Sequence, residues 1–149
     1  MTTVTVSSQI AAPVDRVFDI FTDLDRLTER VSGIKQIEVL TAGPFNLHTR
    51  WRETRHALGR DHSEDLVVTA FDRGRGFTVS ADDHGAHLDT VFTFEPADAG
   101  TRVTIQFYFD TRTFPARLMA PLGWAMSGRI REAIAHDLSD VQRIAEAGG

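Results

Sequence analysis

Polar and charged side chains run along residues 48–58, a segment whose pattern predicts a β-strand. One face of that strand would carry Trp51, Glu53, Arg55 and Ala57, and the other would carry Arg50, Arg52, Thr54 and His56. Neither set is apolar, so polar groups must point into the protein whichever face turns inward. Within a largely apolar pocket, such groups could orient a small molecule, and a glutamate there could transfer protons.

The next predicted strand, residues 62–71, indicates which face turns inward. A two-residue turn at residues 59–60 would fix the pairing of the two strands. The predicted pairs are Leu58 with Asp61, Arg55 with Glu64, Glu53 with Leu66, and Trp51 with Val68. Because Leu66 and Val68 have the character of core residues, their partners are predicted to face inward as well, with Arg55 able to pair with either glutamate.

Two alternatives to this interpretation stay open. A register shifted by one residue would move the polar cluster to the solvent face. The cluster could also form a structural network beneath a closed core, although an ion pair adds little net stability in a dry interior.

A metal site is the main alternative chemistry. Carboxylate and imidazole groups lie close together at Asp82, Asp83, His84, His87 and Asp89, and such groups bind zinc and similar ions. The same residue types are common in hairpin turns for conformational reasons. We therefore predict no metal, and we interpret the acidic stretch His136, Asp137 and Asp140 as a solvated helix face.

The sequence lacks the motifs that other catalytic mechanisms require. The chain has no cysteine, which excludes disulfides and thiolate chemistry. It also has no nucleophile elbow, no phosphate-binding loop and no dinucleotide fingerprint. No cofactor is expected, and any catalysis would be acid–base chemistry in which Glu53 or Glu64 moves a proton while Arg55 steadies a developing enolate.

Length and charge narrow the class of protein. A chain of 149 residues predicts a single domain, residues 1–149, with its own core. The net charge of −5 argues against a nucleic-acid partner. The first residues lack the features of a signal peptide, and no apolar run is long enough to span a bilayer. The expectation is a cytoplasmic protein without membrane insertion.

The hydrophobic pattern predicts where the elements lie. A strand over residues 4–10 precedes two short helices, the first beginning after Pro13 and the second over residues 24–31. Six strands follow at hairpin spacing, over residues 34–40, 48–58, 62–71, 77–81, 87–95 and 101–110. Alternation predicts inward positions at Phe77, Val79, Ala81, Leu88, Thr90, Phe92, Phe94, Val103, Ile105, Phe107 and Phe109.

Residues 113–149 are predicted to form a long amphipathic helix, because apolar side chains recur every three or four positions from Leu118 to Val141. Pro121 and Gly123 predict a break near residues 120–123, with a short segment before the main helix. A curved sheet around this helix would leave a hollow. The loop at residues 44–47 and the short segment would flank its mouth, which is predicted to be lined by Phe45, Leu47, Leu118, Leu122 and Met126.

Four segments carry a family resemblance: residues 10–18 (IAAPVDRVF), 51–55 (WRETR), 100–104 (GTRVT) and 120–122 (APL) with the amphipathic tail. With the order of elements, they resemble the START/Bet v 1-like (SRPBCC) superfamily, and within it the bacterial polyketide cyclase/dehydrase-like branch. Glycine often precedes the third strand in that family, whereas this chain has Asn46-Leu47-His48. The resemblance implies an α+β helix-grip fold: a curved antiparallel β-sheet wrapped around a long C-terminal helix, with two short helices after the first strand.

The resemblance also implies a function. The first expectation is binding of a hydrophobic small molecule or lipid in a cavity between the sheet and the C-terminal helix. The alternative is a cofactor-independent polyketide cyclase, dehydratase or isomerase, and an interaction module with a vestigial cavity is a third class. The sequence does not fix the oligomeric state, and a homodimer is one state that it allows. The catalytic candidates are Glu53, Arg55 and Glu64. The predicted ligand-binding residues are Phe45, Leu47, Trp51, Glu53, Arg55, Glu64, Leu66, Val68, Val79, Leu88, Phe92, Ile105, Phe107, Leu118, Leu122 and Met126.

Overall fold

Antiparallel strands in hairpin succession build a curved sheet that packs against helices on its concave side. The computed structural model describes residues 2–57, 59–83, 85–111 and 120–147. In these ranges the elements are β1 (Thr2–Ile10), α1 (Val14–Thr22), α2 (Leu24–Arg30), β2 (Ile34–Val39), β3 (Arg50–Ala57), β4 (Arg60–Asp72), β5 (Gly76–Asp83), β6 (Ala86–Ala97), β7 (Gly100–Thr111) and α3 (Ala120–Glu146). This is the predicted α+β helix-grip fold.

The strand order across the sheet is β1-β7-β6-β5-β4-β3-β2. Every neighbouring pair is antiparallel, so the strands from β2 to β7 form a meander. The first strand returns to pair with the last, from Thr2 opposite Phe109 to Ile10 opposite Thr101. Strands β1 and β2 are therefore the edges, and β3, which carries the polar cluster, lies one strand in from an edge.

The core lies between the sheet and α1. Helix α1 follows Pro13 and buries Val17, Phe18, Ile20 and Phe21. The ring of Phe18 makes edge contacts with Phe77 at 6.0 Å and with Phe94 at 5.2 Å between centroids, a favoured arrangement for aromatic pairs. Phe77, Val79, Ala81, Phe94, Val103 and Ile105 are buried, which confirms the inward faces predicted for β5, β6 and β7.

Helix α3 is 27 residues long, which corresponds to about 40 Å. Its C-terminal half buries Leu138, Val141 and Ala145. Arg16 of α1 donates from Nε to the carbonyl of Ala145 (3.0 Å) and from Nη2 to that of Ile144 (3.1 Å). The guanidinium thus satisfies carbonyls that the end of a helix leaves without intrahelical partners.

The structure corrects one predicted element boundary. Strand β3 begins at Arg50 and not at residue 48, because His48 has a φ of 72°, a left-handed conformation that a strand cannot contain. The described part of the predicted C-terminal helix is α3, from Ala120 to Glu146. Residues 113–119, including most of the predicted short segment and Leu118, lie outside the described residues.

The predicted register of the β3–β4 hairpin was wrong by two residues. Ala57 pairs with Arg60, so Glu53 lies opposite Glu64, Trp51 opposite Leu66, and Arg55 opposite His62. The turn therefore comes one position earlier, and Gly59, with a φ of 78°, is its second residue. Turns with a positive φ at the second central position favour glycine there. A shift of two leaves the predicted faces unchanged.

Candidate functional site in the interior

Four polar side chains form a hydrogen-bonded chain from β3 to α3. Trp51 donates from Nε1 to Glu53 Oε1 (3.3 Å), and Arg55 donates from Nε to Glu53 Oε2 (2.8 Å). Arg55 also donates from Nη1 to Asp137 Oδ1 (3.3 Å) and from Nη2 to Asp137 Oδ2 (2.8 Å). Alternate residues of β3 share the face turned toward α3, which is why one strand supplies three of these groups.

The interpretation of Asp137 and Asp140 as a solvated helix face was wrong. The carboxylate of Asp137 binds Arg55, and the side chain of Asp140 is only 5% exposed. Asp140 Oδ2 accepts hydrogen bonds from the backbone N and from the Oγ of Ser32, both at 2.9 Å. The sequence contained a signal for Asp137, because it lies three residues after Ile134 and four before the buried Val141, on the inward side of the helix.

The cluster is largely buried, but each of its charged side chains keeps some access to solvent. Side-chain exposure is 33% for Arg55, 15% for Glu53 and 19% for Asp137. Burial, reinforced by the charges of Glu53 and Asp140, outweighs Arg55 and raises the pKa of the Asp137 carboxyl above its ordinary value of 3.8. Burial also disfavours the charge of Arg55, but Glu53 and Asp137 outweigh that effect and raise the guanidinium pKa. Arg55 therefore stays protonated.

Gly33, between α2 and β2, leaves room for the ion pair. A Cβ atom at this position would lie 3.0 Å from Arg55 Nη1 and 3.2 Å from Asp137 Oδ1. Both distances are shorter than ordinary van der Waals contact, so a side chain here would push the two charged groups. The glycine is thus part of the geometry that holds the cluster.

The inner face of the sheet continues the site as an apolar surface. Across the strands, Val68 lies opposite Val79, Val79 opposite Thr90, and Thr90 opposite Phe107. Val68, Val79 and Ile105 are buried, whereas Leu66, Leu88, Thr90, Phe92 and Phe107 are only half-buried although they point inward. A concave surface whose apolar side chains keep access to solvent is typical of a ligand site.

The remaining predicted site residues are dispersed. Phe45 packs at 5.0 Å from Phe77 and 5.8 Å from Trp51 between ring centroids, so it belongs to the aromatic core beside α1. Leu47 is 45% exposed. Glu64, opposite Glu53 in the register, is half-buried. Leu122 and Met126 lie in α3, but their side chains, like Leu118, are outside the described part of the chain.

A separate cleft opens beside α1. It has a volume of about 390 Å³ and is lined by Phe18, Asp19, Thr22, Asp23, Leu24, Asp25, Val39, Gly43, Pro44, Phe45, Thr49 and Arg73. Its rim includes the exposed carboxylates of Asp19 and Asp25, and Phe45 is the only predicted ligand-binding residue in its lining. The cleft therefore offers neither the enclosure nor the polar cluster of the inner face.

At the acidic hairpin considered as a metal site, the structure describes the side chains of Asp82, His87 and Asp89, whereas those of Asp83 and His84 lie outside the described part. His87 contacts Asp82 Oδ1 from Nδ1 (2.8 Å) and Asp89 Oδ1 from Nε2 (3.0 Å), so carboxylates meet both ring nitrogens. Within the described residues, no group of three or more potential ligands could hold a metal ion. In the same part of the chain, no helix is both long and apolar enough to cross a membrane.

Several solved structures share the fold of this chain. The chain superposes on a START superfamily protein from Mycobacterium smegmatis with a TM-score of 0.77 at 12% identity, covering 99% of both chains. The Zhui aromatase/cyclase from Streptomyces sp. R1128 matches with a TM-score of 0.78 at 17% identity, covering 97% of this chain and 93% of the other. The protein TTHA0849 from Thermus thermophilus gives 0.79 at 19% identity, covering 99% of both. These likenesses show the fold, the helix-grip fold of the START/Bet v 1 superfamily.

The family follows from the sequence itself. Residues 1–139 match the family described as polyketide cyclase / dehydrase and lipid transport, and the chain belongs to that family. A comparison with curated proteins found no significant sequence match. The family description spans both binding and catalysis, so the choice between them depends on the site.

Proposed function

We propose that this protein binds a hydrophobic small molecule or lipid between the inner face of the sheet and α3. The observation that carries the proposal is the half-buried state of Leu66, Leu88, Phe92 and Phe107, which point inward on β4, β6 and β7. A closed core would bury such side chains fully. The family description, which includes lipid transport, supports the same function.

The polar cluster would fix the orientation of a ligand in this proposed site. Small-molecule sites combine an apolar lining with a few placed polar groups, and the chain from Trp51 to Asp137 stands beside the apolar surface. Its groups are positioned by hydrogen bonds to one another, so they need little rearrangement when a ligand arrives. A ligand would therefore place its polar end toward β3 and its apolar part along β5, β6 and β7.

A large side chain that occupies the space between the sheet and α3 would test the proposal. Thr90 points inward at the centre of the sheet, whereas Thr93 on the same strand lies on the opposite face, between Gly76 and Thr104. Thr90→Trp should occupy the space, and Thr93→Trp is the matched control. Binding of the neutral fluorescent probe N-phenyl-1-naphthylamine would be measured for both variants and for the parent chain.

We expect Thr90→Trp to weaken probe binding at least about tenfold, a loss of about 1.4 kcal/mol, and Thr93→Trp to change it less than about twofold. Circular dichroism would establish that both variants fold. Equal binding by the two variants, or no binding by the parent chain, would contradict the proposed site.

A second candidate is catalysis of a cyclisation, dehydration or isomerisation. The observation that favours it is the enclosed carboxyl of Asp137 beside Arg55. Burial raises the pKa of this carboxyl, and a carboxyl with a raised pKa is suited to proton transfer. Arg55 beside it could stabilise a developing enolate. A carrier tolerates Glu53→Gln, Glu64→Gln and Asp137→Asn and releases its ligand unchanged. An enzyme loses turnover in at least one of these variants while it still binds.

The cellular location and the oligomeric state are predictions from the sequence. We propose a cytoplasmic location and a homodimer, and the hydrophobic ligand is the principal partner. Sedimentation equilibrium of the purified chain would test the homodimer, because a mass near 16.6 kDa would contradict it.

A further inference from the structure

The guanidinium of Arg55 is already occupied by carboxylates of the protein. Its Nε donates to Glu53, and its Nη1 and Nη2 donate to Asp137. A guanidinium has five N–H groups, so two remain, one on each terminal nitrogen. An anionic ligand would have to share or displace the two carboxylates that Arg55 now binds.

The charges of the cluster do not sum to zero. Arg55 contributes one positive charge, whereas Glu53 and Asp137 contribute two negative charges at neutral pH. The three groups therefore carry a net charge of −1, and their enclosure strengthens the resulting negative field because solvent screens it less. The charge of Asp140 also acts on Asp137, but Asp140 is itself paired with Arg143.

The hydrogen-bonding positions that the cluster leaves unused agree with its negative charge, because most of them are acceptors. Each carboxylate oxygen has two lone-pair directions, and the four oxygens of Glu53 and Asp137 each accept one hydrogen bond from Trp51 or Arg55. The partial exposure of Glu53 and Asp137 leaves the remaining directions accessible to a ligand. The cluster thus offers acceptors in greater number than donors.

We propose that the interior site selects ligands whose polar end donates hydrogen bonds, such as an alcohol or phenol, and discriminates against carboxylate anions such as fatty acids. This inference rests on the proposed binding function and specifies the chemical class of the ligand. It follows from the geometry of Arg55, which serves to hold two carboxylates and not to receive an anion.

A pair of ligands of nearly equal shape tests the proposal. At pH 7, 2-naphthol is uncharged and donates a hydrogen bond, whereas 2-naphthoate is an anion, as the ordinary pKa values of phenols and carboxylic acids imply. Each would be titrated against the protein loaded with N-phenyl-1-naphthylamine, and its dissociation constant obtained from probe displacement. We expect naphthol to bind at least about tenfold more tightly than naphthoate.

Charge variants locate the source of the discrimination. Asp137→Asn removes one negative charge from the cluster, and Glu132→Gln removes one from an exposed position on the same helix. Asp137→Asn should improve naphthoate binding several-fold relative to naphthol, and Glu132→Gln should leave the ratio unchanged. The ratio measured for the parent chain tests the proposal without any variant.

Each outcome has a distinct meaning. Naphthoate binding as tightly as naphthol to the parent chain overturns the inferred ligand class and leaves the proposed binding function standing. The same change of ratio in Asp137→Asn and Glu132→Gln overturns the assignment to the cluster. Failure of the probe itself to bind removes the proposed function, and the inferred ligand class falls with it.

Discussion

Arg55 of β3 and Asp137 of α3 form a two-point ion pair that joins the sheet to the C-terminal helix, with N–O distances of 3.3 and 2.8 Å. Paired N–H donors facing two carboxylate oxygens are the strongest geometry available to arginine. Because Glu53 binds the same guanidinium, the removal of Arg55 would leave two enclosed carboxylates without their cation.

Arg55→Met should therefore destabilise the fold. We expect a loss of about 1–3 kcal/mol in the free energy of unfolding, less than for a fully buried pair because the group is partly exposed. Urea unfolding would measure it, and a double-mutant cycle with Asp137→Asn should give a coupling energy of at least about 0.5 kcal/mol. Arg52→Met is the control, because Arg52 makes a similar pair with Asp65 on the exposed face. Equal losses in the two arginine variants would contradict an interior role for Arg55.

Gly33 should be intolerant of a side chain because of the ion pair beside it. A Cβ there would lie 3.0 Å from Arg55 Nη1, so we expect Gly33→Ala to cost about 1 kcal/mol. Gly128→Ala is the control, since a Cβ at this helical position meets nothing within 4 Å. It should stabilise the helix by up to about 1 kcal/mol. If thermal unfolding shows that Gly33→Ala is neutral, the ion pair is not confined as described.

Asp140 should make stability depend on pH in the acid range. Burial opposes its ionisation, but the hydrogen bonds from Ser32 and the charges of His136 and Arg143 outweigh burial and lower the pKa of this carboxyl below 3.8. A lowered folded-state pKa gives stability that is present above the unfolded value and is lost as pH falls through the folded value. Asp140→Asn should thus cost about 1–2 kcal/mol at pH 6, and the difference from the parent chain should shrink below pH 3.8.

Asp137 should give stability the opposite dependence on pH, and it therefore serves as an internal control. Its pKa is raised, so its titration contributes stability that is complete below the unfolded value and is lost as pH rises through the folded value. The stability of the parent chain relative to Asp137→Asn should therefore increase as pH falls toward 3.8. Urea unfolding at several pH values would measure both trends, and parallel curves for the two variants would contradict the assigned environments.

Much of the fold and three of the four members of the cluster could be predicted from the sequence. The period of two along β3 placed Trp51, Glu53 and Arg55 on one face, and this prediction survived an error of two residues in the hairpin register because such an error does not exchange faces. The half-burial of Leu66 and Phe107 could not be predicted, since alternation gives direction and not packing.

The fourth member of the cluster, Asp137, depended on tertiary packing. The rotation of α3 about its axis decides whether a residue at the border of its apolar stripe, such as Asp137, points to solvent or to the sheet. That rotation is fixed by contacts distant in sequence, among them those of Arg16 and Ser32 with the helix. The left-handed conformation of His48 was likewise invisible in a residue pattern that suits a strand.

The anchoring of α3 by Arg16 predicts a local effect. Arg16→Gln should raise amide hydrogen exchange in the last helical turn, including Ala147, whose N–H bonds to the carbonyl of Arg143 (3.2 Å), because the bonds from Arg16 to Ile144 and Ala145 hold this end in place. Arg26→Gln, at an exposed surface pair with Glu29, should leave exchange there unchanged. Equal exchange in both variants would show that Arg16 does not anchor the helix.

Methyl NMR during a titration with 2-naphthol tests the location of the ligand most directly. Leu66 and Leu88 report the inner face, Val67 and Val91 report the outer face of the same strands, and Leu24 and Val39 report the cleft beside α1. We predict saturable shifts at Leu66 and Leu88, with the other methyl signals unmoved. Shifts confined to Leu24 and Val39, or to the outer-face valines, would contradict a ligand site beneath α3.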